Sequence, residues 1–268
     1  MYSLRFDAAH QEFLRWQMEH PGDALGPVSE AANYLFTEFD RLGVLEAQFF
    51  VKDSTFAARK KLLPDPDMRA RFDAALVRAE AEARLRLAED PQHPNSLFAL
   101  TLVYGLKADS AALIEKRNMA ALRYTRQASE LAGQLLGVAP DYHDAYLATG
   151  IAQYIVGSMI APVRWVLKMA GYSGNKQQGI EELRLAAEKG LFLGPFARIL
   201  LAIALGLNRC DTQPSWDVLR DSGNLSSASV LFVLHEWLTK RNVAAGEYGL
   251  MAAFGPGFSA EMLLLQWA

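Results

Sequence analysis

Three kinds of side chain in this sequence have the types to take part in acyl or metal chemistry: one thiol, a few imidazoles and one well-placed amide. Cys210 is the chain's one cysteine. A thiol becomes a nucleophile when a neighbouring base or cation lowers its pKa, but Arg209 and Asp211 on either side mark an ordinary loop thiol. His10 and His20 stand ten residues apart, and His143 sits between Asp141 and Asp144 at a turn. Neither group has the i, i+4 spacing or the third convergent ligand of a metal site, so Asp141 and Asp144 read as turn and capping residues. The amide is Asn224, in the run Ser222-Gly223-Asn224-Leu225-Ser226-Ser227-Ala228-Ser229 that opens an apolar helix. Further on, Ala253-Phe254-Gly255-Pro256-Gly257 forms a tight turn.

In this order and at this separation, the two segments resemble the C-terminal end of type III polyketide synthases, the chalcone and stilbene synthase family. The resemblance implies a thiolase-like fold, an acyltransferase activity that condenses coenzyme A thioesters with decarboxylation of malonyl-CoA, and no cofactor. It assigns Asn224 as the family asparagine. A neutral amide there donates a hydrogen bond to a thioester oxygen as charge develops, where an aspartate would repel that charge. It makes Phe254, Gly255, Pro256 and Gly257 part of the pocket wall, with Ala253 replacing the family's first glycine. The family's cysteine nucleophile and its His-Pro-Gly-Gly segment have no counterpart upstream of Asn224, where Gly190-Leu191-Phe192-Leu193-Gly194-Pro195-Phe196-Ala197-Arg198 stands instead. Without a thiolate and its histidine, the amide has nothing to assist.

The segments that precede this tail read as paired helices. Phe72, Leu76, Ala79, Ala83 and Leu87 recur at helical spacing over residues 68–89, with Glu80, Glu82, Arg84, Arg86 and Glu89 as a solvated face. Pro91 and Pro94 stop that helix before a second from Asn95 to Leu106. A helix over 114–136, a turn at Ala139-Pro140-Asp141 and a helix from Ala145 repeat the pattern. Gly179 to Gly190, with Pro195 opening the next helix to Ala204, repeats it again. Pro140, Ala145, Tyr146, Gly150 and Tyr154 resemble a divergent tetratricopeptide repeat (TPR) over residues 25–203. The prolines Pro91 and Pro140 lie 49 residues apart, against about 34 in that family. Such an array implies a groove for a peptide or a partner helix. Met1 to Phe36 is already helical, with no polar capping repeat ahead of it.

The fold expected is therefore mainly α: a TPR-like α-solenoid over residues 1–203, then a small α/β segment over 204–268 resembling the end of a thiolase fold. The junction falls near Ala202 to Gly206, as in a fusion or a chimera. In the tail, a short helix is expected at Trp216 to Arg220. Ser226 caps an apolar helix to Arg241 of the kind buried in a layered domain, and Glu247–Phe254 and Ala260–Trp267 read as strands.

Composition narrows the partners. With 51% apolar residues the chain has core enough to fold, and a net charge of −3 argues against nucleic acid. Met1 to Asp7 has no apolar leader core, and the single cysteine fits a reducing, cytoplasmic setting. Tyr154 to Gly171 is broken by Pro162 and carries Arg164 and Lys168, so it reads as a buried or interfacial helix pair with a proline kink, and no membrane span is expected. The partners expected are a protein or peptide in the repeat groove, and a second copy meeting through the synthase-like segment. The leading reading is a protein-interaction scaffold joined to an incomplete synthase end. Its alternative is an acyltransferase whose cysteine and histidine come from elsewhere.

Overall fold

The computed structural model describes residues 5–44, 62–204, 217–218, 229–240, 244–246, 248–254 and 260–267. It is mainly helical, and the chain divides into two compact units, Met1–Leu205 and Gly206–Ala268.

The first unit holds α1 (Phe6–Glu19), α2 (Leu25–Arg41), α3 (Pro66–Glu89), α4 (Pro94–Asp109), α5 (Asn118–Val138), α6 (Tyr146–Ser158), α7 (Ala161–Met169), α8 (Lys176–Lys189) and α9 (Gly194–Ala204). Local sequence explains several of the starts. Asp65 accepts from the amides of Asp67 and Met68 at 2.9 and 3.0 Å, with Pro66 in the first turn of α3. Asn175 does the same for α8 through Gln177 and Gln178. His93 caps α4, and Pro94 starts that helix.

Each helix packs chiefly against its neighbours in the chain, with α6 meeting α8 across the short α7. The core follows the same progression. Val28, Leu35, Phe39, Phe72, Leu76 and Val103 form one cluster of α2, α3 and α4. Leu97, Phe98, Ala132, Leu135 and Ala145 form the next, and Leu147, Leu183, Ala186 and Ala197 the third. The expected face of α3 is the buried one, with Phe72, Leu76, Ala79 and Ala83 all at 5% exposure or less.

The α6 and α8 backbones cross at two glycines. A Cβ on Gly179 would stand 2.5 Å from the Tyr154 nitrogen and 2.8 Å from the Gly150 oxygen, and one on Gly150 would stand 3.0 Å from the Leu183 nitrogen. Only residues without a side chain permit that approach.

Four expectations need correction. The helix placed over 114–136 begins at Asn118, because α4 runs on through a π-helical turn, Ser110–Ile114, and the break comes at Lys116, with φ of 60°. Pro162 kinks no continuous helix; it occupies the first turn of the separate α7, where its missing N–H costs nothing. That helix is not buried: Trp165 is 65% exposed and Met169 73%. Glu80 belongs to more than a solvated face, since it binds Lys107 and Tyr104 of α4 at 2.6 and 3.0 Å.

Among the described residues, one stretch, Pro94–Ile114, is long and apolar enough to cross a membrane, and 67% of its most apolar window is buried in the bundle. It is the central core helix of the unit.

Candidate functional site

The C-terminal unit supplies the frame for the expected synthase site. α10 (Ser229–Lys240) precedes β1 (Tyr248–Phe254) and β2 (Ala260–Gln266), which pair antiparallel with Tyr248 opposite Gln266, Met251 opposite Leu263 and Phe254 opposite Ala260. The Gly246 amide donates to the Trp267 carbonyl at 2.7 Å, closing the open end of the hairpin. α10 packs against β1, and the Trp237 and Trp267 rings lie 4.6 Å apart between centroids.

The sequence-derived site falls only partly within this frame. Phe254 is the last residue of β1, opposite Ala260. Asn224, Gly255, Pro256 and Gly257 lie outside the described residues, as do Cys210, the serines 226 and 227, and all of the helix expected over 216–220 except Asp217 and Val218.

The expectation of a buried α10 is overturned. Leu231 is 62% exposed, Phe232 48% and Leu238 47%. Two strands offer too little surface to cover an apolar helix on several sides.

The helical unit contains the more elaborate polar chemistry. Asp144 is 3% exposed, and its carboxylate accepts from the amides of Leu191, Phe192 and Leu193 at 2.9, 2.9 and 2.6 Å. The acid at one turn thereby fixes the turn that opens α9, which extends its expected capping role across the fold. Next to it, Tyr142 is pushed up to about 12 by burial and by the charges of Asp144 and Asp23.

Glu80 is pulled upward by burial, yet hydrogen bonds and charge from Lys107 and Arg84 bring it down to about 2. Glu30 also feels burial first, and is held below the usual carboxylate range by Tyr34, Gln17 and Arg78. That network ties α1, α2 and α3 together: Tyr34 donates to Glu30 at 2.7 Å and Arg78 at 2.6 Å.

Asp109 escaped the sequence reading. It lines a cavity of about 390 Å³ among helices of the first unit, and burial pushes its carboxyl up to about 7. A glycine in mid-helix, Gly105, followed four residues later by an acid in a largely apolar helix, was the available signal. No group of three or more His, Cys, Asp or Glu able to hold a metal occurs among the described residues.

Comparison with known proteins bears on the C-terminal quarter. Residues 195–267 match the family described as 3-Oxoacyl-[acyl-carrier-protein (ACP)] synthase III C terminal. The chain is 46% identical over 68 residues to a 3,5-dihydroxyphenylacetyl-CoA synthase of Amycolatopsis orientalis, covering 25% of this chain and 18% of that protein. It is 43% identical over 74 residues to a 1,3,6,8-tetrahydroxynaphthalene synthase of Streptomyces peucetius subsp. caesius, covering 28% and 20%. With type III polyketide synthase A of Arabidopsis thaliana it is 33% identical over 102 residues, 37% of this chain and 25% of that one. The chain thus spans about a fifth to a quarter of the length of these relatives. No solved structure matches it. The C-terminal segment is therefore similar to type III polyketide synthases. The family match begins inside α9, a helix that packs on α8 through Ala197 and Leu200 in the third core cluster.

Proposed function

We propose that the chain is a helical-repeat interaction scaffold, residues 1–203, joined to an incomplete type III polyketide synthase end, residues 204–268, that is not catalytic by itself. The observation that carries this reading is the placement of the required partners. The histidines stand at 10, 20, 93, 143 and 235, and the one thiol at 210, so the family's upstream cysteine and His-Pro-Gly-Gly segment are not in these 268 residues. Asn224 would then be a relic of a hydrogen-bond donor whose reacting thioester is never formed here. The stepwise stacking of helix pairs supports a divergent TPR-like solenoid, whose groove takes a protein or peptide. The division into two compact units supports the two-domain organisation. Incubation of the purified chain with an acyl-CoA and malonyl-CoA is expected to give no condensed product. Product that disappears in an Asn224→Ala variant overturns the reading.

A second reading is favoured by the exposed apolar side chains of α10. An acyltransferase condensing coenzyme A thioesters, with no cofactor, arises if another chain supplies the missing core, cysteine and histidine. A homodimer formed through the synthase-like segment is the simplest way to cover Leu231, Phe232 and Leu238. Sedimentation equilibrium distinguishes the readings: a monomer at micromolar concentration removes the dimer.

A further inference from the structure

Asp109 belongs to a site that neither the repeat groove nor the synthase tail accounts for. Thr101, Gly105 and Asp109 follow one another at i, i+4 and i+8 along α4, so they share one face, and all three line the 390 Å³ cavity. Gly105 is not required by crowding: a Cβ there would meet nothing within 4 Å. In mid-helix it forgoes stability relative to alanine, and what it leaves is open space one turn before the carboxyl. Directly after Asp109 the helix widens into its single π turn, a device found frequently at functional sites.

The walls are apolar and aromatic, with Phe13, Phe36, Phe98, Phe192 and Phe196 among them. Among the lining residues the titratable groups are Asp109 and Asp144, and Asp144 is occupied by the amides of the 191–193 turn. Among the described residues no lysine, arginine or histidine lines the space. From α2 the polar contribution is Ser29, from α5 Thr125, and from α6 none; the Thr101 hydroxyl donates to the Leu97 carbonyl at 2.9 Å. On neighbouring turns Lys107 is held by Glu80 of α3, and Arg117 by Glu115. Asp109 is a half-buried carboxyl on the cavity wall, and among the described residues no cation pairs with it.

We propose that this cavity binds a small apolar amine: an aryl or alkyl body lying among the phenylalanines, with its ammonium group hydrogen-bonded to Asp109. An ammonium supplies both things the site lacks, a positive charge and N–H donors, and the faces of the aromatic walls attract a cation rather than repel it. An apolar carboxylate of the same shape would enter without any counter-charge. An alcohol would supply one donor and no charge.

The proton balance is defined. In the empty cavity burial keeps Asp109 protonated up to about pH 7. When an ammonium enters below that pH, the carboxyl ionises and releases one proton to solvent; above it, the carboxylate is already present and none is released.

The test is calorimetric titration of the whole chain with 4-phenylbutylamine, 4-phenylbutanol and 4-phenylbutyrate at pH 8.5 and pH 5.5, in two buffers of different ionisation enthalpy. The amine is expected to bind at least tenfold more tightly than the other two at pH 8.5. Its affinity is expected to fall about tenfold per pH unit below 7, with about one proton released per ligand at pH 5.5. Asp109→Asn, nearly isosteric and uncharged, is expected to lose the preference for the amine and the pH dependence. Gly105→Leu, which fills the open space, is expected to abolish binding of all three while the helical circular dichroism persists. The proposal is overturned if the alcohol or the carboxylate binds as well as the amine, if Asp109→Asn keeps the amine affinity, or if the folded wild-type chain binds none of them.

Discussion

Leu135 and Leu183 of the helical unit are each at 2% exposure or less, in clusters drawn chiefly from helices one or two places away in the chain. In the C-terminal unit Leu231, Phe232 and Leu238 of α10 are about half exposed or more, and the hairpin beside it has two strands. Both units are rich in apolar residues, so composition does not separate them. What differs is whether the surface that would bury each side chain comes from nearby sequence. A stack of helix pairs is covered by the next pair along the chain. Among the described residues of the C-terminal unit a two-stranded hairpin lies beside α10, and part of the helix's apolar surface stays open.

Substitutions on the two sides of this divide should differ in kind. The largest effect is expected from Phe98→Ala, which removes a ring at 1% exposure packed on Tyr142 and Phe192; a loss of about 3–5 kcal/mol should appear in chemical denaturation followed by circular dichroism. Next comes Asp144→Ala. It strands three backbone amides that now donate to one carboxylate, and should cost about 3 kcal/mol, with Asp144→Asn costing less. Gly179→Ala forces apart the α6 and α8 backbones, and about 1–3 kcal/mol is expected from the same measurement.

A smaller effect concerns acid. The folded Glu80 carboxyl lies at about 2 against an ordinary 4.5, so its contribution is complete above about pH 4.5 and is lost as pH falls toward 2. The stability gap between wild type and Glu80→Gln should therefore close over that interval. The smallest change in stability is expected from Leu231→Ser with Phe232→Ser: within about 0.5 kcal/mol, since the side chains are already in water, but with less self-association in sedimentation. A loss comparable to that of Phe98→Ala would erase the contrast between the units.

The legible parts of this molecule are those set by local chemistry. The spacing of Phe72, Leu76, Ala79 and Ala83 names a helix and its buried face together. Pro195 falls in the first turn of the helix it was expected to open, and the apolar runs on either side of Gly-Pro-Gly pair as a hairpin. The illegible parts depend on residues far away in sequence. Asp144 looks like an ordinary turn acid until its donors appear 47 to 49 residues downstream. Glu80 looks solvated until Lys107 reaches it from the next helix. The exposure of α10 could not be read from its own composition, because an apolar helix states only that it needs cover. Asp109 was hidden differently, as one acid inside the most buried helix, where the missing side chain of Gly105 matters more than any side chain present. The synthase resemblance was legible at its two motifs, and the family match extends it upstream into α9.

Asp144 also limits where the array can be divided. The stretch between α6 and α8 looks like a seam between repeats, a natural place to end a shortened protein. A piece ending there would keep the acid in its turn and discard the amides that receive its charge; a piece starting there would keep those amides with nothing to accept from them. The shortest N-terminal fragment able to keep this turn intact must extend past Leu193. The two turns are therefore fastened to each other across 47 to 49 residues of chain, and any redesign by trimming has to respect that fastening.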